Sequence, residues 1–296
     1  MKSSTIAFIV SSLAVQACSG PDSSLPDSDI SEPQTAFISQ GKVYPGGWGD
    51  DDNQFFATHH QDDTWRVIQI DLITGEMETL DIPHGNVGVS DVSGPELLLE
   101  IVGDGGVAIY NINDGSSDTI IKTSDNVWHP SFGSSDIVFF DSDQGGELNI
   151  HRFDRKTRER VKLTNNPASE QGAKLSPDGS KIAFHRHMGD DNYDLVILDL
   201  ASQSESIVTN SLADDSYPQW TPNETSIIFS SNRSGNFDLY QLCLANNKIS
   251  PLVNTEQDEK YPRVSNRGDK IAYQVNQAGT SEIKITTLTY SGDCPA

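Results

Sequence analysis

Three histidines carry the clearest capacity for chemistry in this 296-residue chain. His185 and His187 stand two apart in the run Ile182-Ala183-Phe184-His185-Arg186-His187, so on a strand they share one face. His59 falls at the equivalent place of an earlier repeat. Imidazoles that converge, each held by a further hydrogen bond, bind metal. The spacing alone supplies no third ligand position, so polar strand ends are the plainer reading. Asp141-Ser142-Asp143-Gln144-Gly145-Gly146 opens like a calcium loop. It then has Gly145 at position five and Arg152 at position twelve, where a carboxamide or acid and a bidentate Glu are needed, so it reads as a turn. Glu147, Asp194, Asp238 and Glu282 recur ahead of successive strands. A residue recurring in four of the six units reads as a backbone acceptor at a hairpin rather than as a catalyst. GxSxG, HExxH and GxxxxGK[ST] are all absent from the sequence. No cofactor, resident metal or catalytic residue is expected.

Three cysteines, Cys18, Cys243 and Cys294, form no CxxC pair. Cys18 ends Val15-Gln16-Ala17-Cys18, which follows Lys2 and a short apolar run. Such a run is too short to span a bilayer, which takes about 20 residues, and reads as a secretion signal. The four residues resemble a bacterial lipobox, with Gln16 larger than is usual there. The expectation is a signal peptide over 1–17, lipidation at Cys18, and a tether over 18–34 too polar to fold. Cys243 and Cys294 then remain as a candidate disulfide in an oxidising compartment.

The elements that position any site come from repetition. Short apolar runs recur at Phe55, Leu97, Ile137, Ile182, Ile227 and Ile271, from Leu97 onward at intervals of 40 to 45 residues. Each is followed by an alternating or β-branched run such as WRVIQIDL (65–72) or ELNIHRF (147–153). A weaker third run follows five of the six, for example METLDI (77–82). The last repeat lacks that run, and a spare strand, TAFISQ (35–40), precedes the first. A closed β-propeller accounts for both, because its N-terminal strand completes the last blade and few sheet edges are left exposed. The expected fold is therefore all-β: one six-bladed propeller over 35–296.

The stretches KLSPDGSKIAFHRH (174–187) and YPQWTPNETSIIFSSNRSGNFDLYQL (217–242) resemble the repeat of TolB-type, WD-like β-propellers. The likeness is specific over 171–259, fair over 126–170 and 260–290, and poor over 41–125. The separate N-terminal α/β domain of TolB has no counterpart in the tether, so the resemblance implies the propeller and not that protein's role.

Net charge is −23, from 20 basic and 43 acidic residues, which excludes nucleic acid as a partner. Topology places the loops between second and third strands on the same face as the connections between blades. Asp214, Asp215, Asp258 and Glu259 fall there, and that face is expected to be acidic. Tyr44, His129, Tyr217 and Tyr261 each precede a proline and are expected just before the innermost strand, near the mouth of the central channel. Aromatic bodies with polar tips are common anchors. These eight residues are the candidate ligand site, with an envelope protein, a basic peptide or a saccharide as partner. On the opposite face Arg152, Arg155, Lys156, Arg158, Arg160 and Lys162 could face anionic lipid, or simply be a solvated loop. The expected function is an exported, lipid-anchored, non-catalytic binding scaffold of the cell envelope. The alternative is a metal-assisted carbohydrate-active enzyme, lyase or hydrolase, working at the channel mouth.

Overall fold

The computed structural model describes residues 34–39, 41–103, 105–123, 125–189, 192–277, 280–288 and 294. The signal segment, Cys18 and all but the end of the tether lie outside them. The strands among the described residues form six four-stranded antiparallel sheets. Five are built from consecutive stretches of chain. The sixth runs from its innermost strand outward through Lys270–Gln277 and Thr280–Thr287 to Gln34–Ser39, and there Phe37 lies opposite Ile283. The fold is the expected six-bladed propeller, closed by its N-terminal strand.

The second strand of each blade explains the apolar runs. In a propeller it is covered on both sides, so its sequence need not alternate. Leu97 and Leu99 pack into the gap between blades 1 and 2, and Leu98 between them turns to the gap between blades 2 and 3. Ile227 and Phe229 likewise face blade 4, and Ile228 faces blade 6. The apolar core is thus six clusters, one in each gap between neighbouring blades. The cluster between blades 6 and 1 contains Phe37 with Val43, Phe55, Ala272 and Ile283.

Asp194 and Asp238 are buried and accept bonds from the segment leading out of the fourth strand. Thr209 Oγ1 and Ser211 N donate to Asp194, and Thr255 N to Asp238. In blade 3 this work falls to Asn149, whose Oδ1 accepts Asn166 N, while Glu147 is exposed. Cys243, at the end of the third strand of blade 5, is bonded to Cys294, with Cα atoms 5.4 Å apart. That bond fastens residue 294 beside Thr225, whose carbonyl the Cys294 sulfur also approaches at 3.3 Å.

Candidate functional site

The six innermost strands, Lys42–Trp48, Val87–Ser93, Val127–Ser134, Glu170–Leu175, Asp215–Trp220 and Asp258–Val264, ring the axis. Each pairs with its second strand through a register shift that leaves one extra residue on the axial side. A bulge of this kind re-aims side chains. In blades 3, 5 and 6 the displaced pairs are His129-Pro130, Tyr217-Pro218 and Tyr261-Pro262. The aromatic residues expected ahead of these strands therefore lie inside them. Proline is tolerated there because the innermost strand is a sheet edge whose outer side faces the channel and needs no donor.

The backbone at these positions is strained. His129, Tyr217 and Tyr261 have φ of 46°, 56° and 55°. Bulky side chains rarely adopt that region, and a following proline favours extended backbone instead. Strain of this sort gathers at functional sites and costs roughly 1–3 kcal/mol per residue. Blade 4 has Gly172 at the same place, with φ 69°. A Cβ on Gly172 would lie 2.9 Å from His185 Cε1, so the His185 ring fills the space that blades 3, 5 and 6 give to a side chain of their own.

The result is one connected group of rings. Tyr217 contacts Tyr261 at 4.4 Å between centroids, His185 at 5.1 Å and His129 at 6.0 Å. On one side the group continues through Tyr44 and Trp65 to His60. On the other it runs from His185 through Tyr193 to His187. Blades 1 and 4 stand opposite each other in a ring of six, so the rings cross the full width of the channel mouth. His60, Trp65, Tyr193 and His187 escaped the sequence reading as part of this site. Their signal was available, since all four flank the hairpins between second and third strands of blades 1 and 4.

The four candidate aromatics thus come together, whereas of the four candidate acids only Asp214 lies near them. Asp215 is fully buried and takes both contacts from Arg233 Nη2, at 2.8 Å each. Glu259 is buried between blades and accepts Thr255 Oγ1 at 2.5 Å; burial holds its pKa up at about 7. Asp258 accepts Phe237 N, and Asp214 is half-buried with its carboxyl raised by burial. Asp215, Asp258 and Glu259 thus tie loops together, whereas the Asp214 carboxyl stands near enough to Tyr193, Tyr217 and His187 to act on them.

Bases stand on the axis instead. Lys174, Gln219 and Arg263 follow the bulges of blades 4, 5 and 6, with Asp91 at the equivalent place in blade 2. Lys174 Nζ reaches across to Asp91 Oδ2 at 2.9 Å. Two tryptophans at matching positions fix the two bases. Trp48 Nε1 donates to Arg263 O at 2.9 Å, and Trp220 Nε1 to Lys174 O at 3.0 Å, each reaching back one blade. His129 Nδ1 is 2.6 Å from Asp141, which is buried and also accepts Gly172 N. Burial works against the charge on His129, but Asp141 outweighs it and the pKa is raised. Burial brings the neighbouring His185 down to about 3, so it is neutral.

His59 packs edge-on against Phe37, away from His185. Among the described residues no three His, Cys, Asp or Glu side chains are grouped to hold a metal ion. The basic stretch of blade 3 is largely matched: Arg152 with Asp154, Arg155 with Glu96, Lys156 with Asp136, Arg158 with Asp118 and Arg160 with Asp125. Paired charges make a poor lipid-facing patch.

Residues 149–293, covering most of blades 3 to 6, match the model of the TolB β-propeller domain. Among solved structures, a protein described as TolB from Agrobacterium tumefaciens superposes with a TM-score of 0.68 at 12% identity, over 87% of this chain and 94% of that one. The calcium-binding protein regucalcin from the same organism gives 0.63 at 10% identity, over 88% and 96%. An oligogalacturonate lyase from Vibrio parahaemolyticus gives 0.56 at 13% identity, over 82% and 77%. At such identities the likeness is one of fold, and propellers host many functions. Repeat pattern, six-bladed closure and family match agree: residues 149–293 carry the TolB-type β-propeller repeat, within one closed six-bladed propeller.

Proposed function

We propose that this protein is a non-catalytic binding module that holds an extended ligand across the mouth of its channel. The observation carrying this is the unbroken set of rings from His60 to His187, built partly on three strained residues. Strain kept at three equivalent positions has a use, and rings that are half-buried, as all of these except His185 are, can serve as anchors. The alternative, a metal-assisted lyase or hydrolase, would require the histidines to converge with further ligands, and among the described residues no three such side chains are grouped.

Glycine at the strained positions separates binding from stability. Tyr217→Gly and Tyr261→Gly remove a ring but relax the backbone, as Gly172 does in blade 4. Each variant should stay within about 1 kcal/mol of the parent in chemical denaturation. Each should also lose on the order of 30-fold in affinity for whichever member of an oligosaccharide and peptide panel binds the parent by calorimetry. Unchanged affinity in both variants would remove the ring track as the site.

We also propose that the chain is exported and held in the cell envelope by lipid at Cys18. Cys18→Ser should move the protein from the membrane fraction to the soluble fraction. Retention in the membrane fraction would sink the lipoprotein reading.

A further inference from the structure

Beneath the rings lies a cavity of about 50 Å³ lined by Ser90, His129, Lys174, Tyr217, Gln219 and Arg263, with prolines and Gly172 completing the wall. Every charged side chain lining it is a base, in a chain of net charge −23. The acids behind those bases are already engaged. Asp91 takes Lys174 Nζ at 2.9 Å, Phe132 N at 3.0 Å and Val92 N at 3.0 Å. Asp141 takes His129 Nδ1 and Gly172 N.

Arg263 differs from the other two bases. Its Nε donates to Gly46 O at 2.8 Å and its Nη1 to Pro262 O at 3.0 Å, both backbone carbonyls. No carboxylate among the described residues forms an ion pair with it; Asp91 is near enough to favour its charge but is bonded to Lys174. A guanidinium has five donors, and a cation drawn out of water without a counter-charge is costly.

We propose that this cavity is a binding site for a single carboxylate group, held by Arg263 and Lys174 on the propeller axis. Three features select that chemistry. Lys174 is paired with Asp91, and His129 with Asp141 and the nearby Glu100, whereas Arg263 has only carbonyl partners and is the base left to take an anion. The planar guanidinium fork fits a planar carboxylate in two-point contact. The volume of about 50 Å³ admits only a head group of a few non-hydrogen atoms. The tryptophan bonds to the carbonyls of both bases hold the site in place before a ligand arrives. The inference deepens the binding role proposed above and rests on it only for what the carboxylate is attached to.

The test uses the full chain and acetate as probe, exchanged for chloride at constant ionic strength and followed by thermal unfolding. Once acetate exceeds its dissociation constant the midpoint should rise with the logarithm of its concentration, by about 4 °C at ten times that constant. Arg263→Gln should abolish the rise, and Lys174→Gln should displace the whole curve to about tenfold higher acetate. If Arg263→Gln fails to fold, Lys174→Gln carries the same test. The proposal is overturned by no rise with acetate, by a rise that survives these substitutions, or by an equal rise with inorganic phosphate. Acetate binding with no binding of any longer ligand would leave the carboxylate site standing and remove the ring track. A longer ligand that acetate cannot displace would do the reverse.

Discussion

Phe37→Ala should destabilise the protein by about 3–5 kcal/mol, as deletion of a buried aromatic ring does. That is a large share of the roughly 5–15 kcal/mol that holds a domain together. Phe37 sits on the only strand that comes to its blade from the far end of the chain. Its ring fills the gap between blades 6 and 1 against Val43, Phe55 and Ile283. The same gap is bridged by Trp48 Nε1 to Arg263 O, by Arg263 Nε to Gly46 O, and by Asp52, which accepts Asn266 N and Arg267 N. Loosening the closing strand therefore loosens the seam that carries the axial arginine. Removing residues 34–39 outright should cost more than Phe37→Ala, because five backbone pairings go with the ring. Thr35→Ala, on the exposed part of the same strand, is the control and should change little. Urea unfolding of the three variants reads the difference. A loss under about 1 kcal/mol for Phe37→Ala would mean that the ring closes elsewhere.

The fold was legible because each blade writes the same local chemistry. Apolar triplets on a strand covered from both sides, turns such as Ser176-Pro177-Asp178-Gly179, and a missing last strand matched by a spare first one all follow from short-range rules. The site was legible only by residue type. Tyr217 and Tyr261 stood out, but the proline after each suggested a strand start, and no local rule announces a bulge on an edge facing a channel. Charge misled for a different reason. Asp215 and Arg233 are eighteen positions apart and meet across a hairpin, so counting acids on a face counted carboxylates that already have partners. Lys174 and Arg263 could have been found. Each stands two residues before the serine of its turn, Ser176 or Ser265, with Gln219 in register before Thr221. One repeat position that carries a base in two blades of an acidic protein is the signal.

His185 should make the protein sensitive to acid in a way the usual carboxylates do not. The residue is 3% exposed and its pKa in the folded state is about 3, with burial the main cause and the nearby charge of His129 adding to it. In the unfolded chain it titrates near 6.5. Above pH 6.5 it is neutral in both states and contributes nothing to the pH dependence. As pH falls below 6.5 the unfolded chain takes up a proton that the folded protein refuses. Stability then drops by about 1.4 kcal/mol per pH unit until the folded pKa is reached, on the order of 5 kcal/mol in all. His151 adds a loss of the same sign, ending at about 4. Glu259 works in the opposite direction: its folded pKa of about 7 makes the protein gain stability as pH falls from 7 toward the unfolded value near 4.5. The raw pH profile mixes these, so the informative quantity is the difference between the parent and His185→Gln. Denaturant unfolding at pH 7, 5.5 and 4 should show the two profiles diverging steadily, with the variant losing less. A difference independent of pH would mean that His185 accepts its proton in the folded protein. The ring filling the place of a side chain at Gly172 would then be a cation, adding to the positive charge of the bases His129, Lys174 and Arg263.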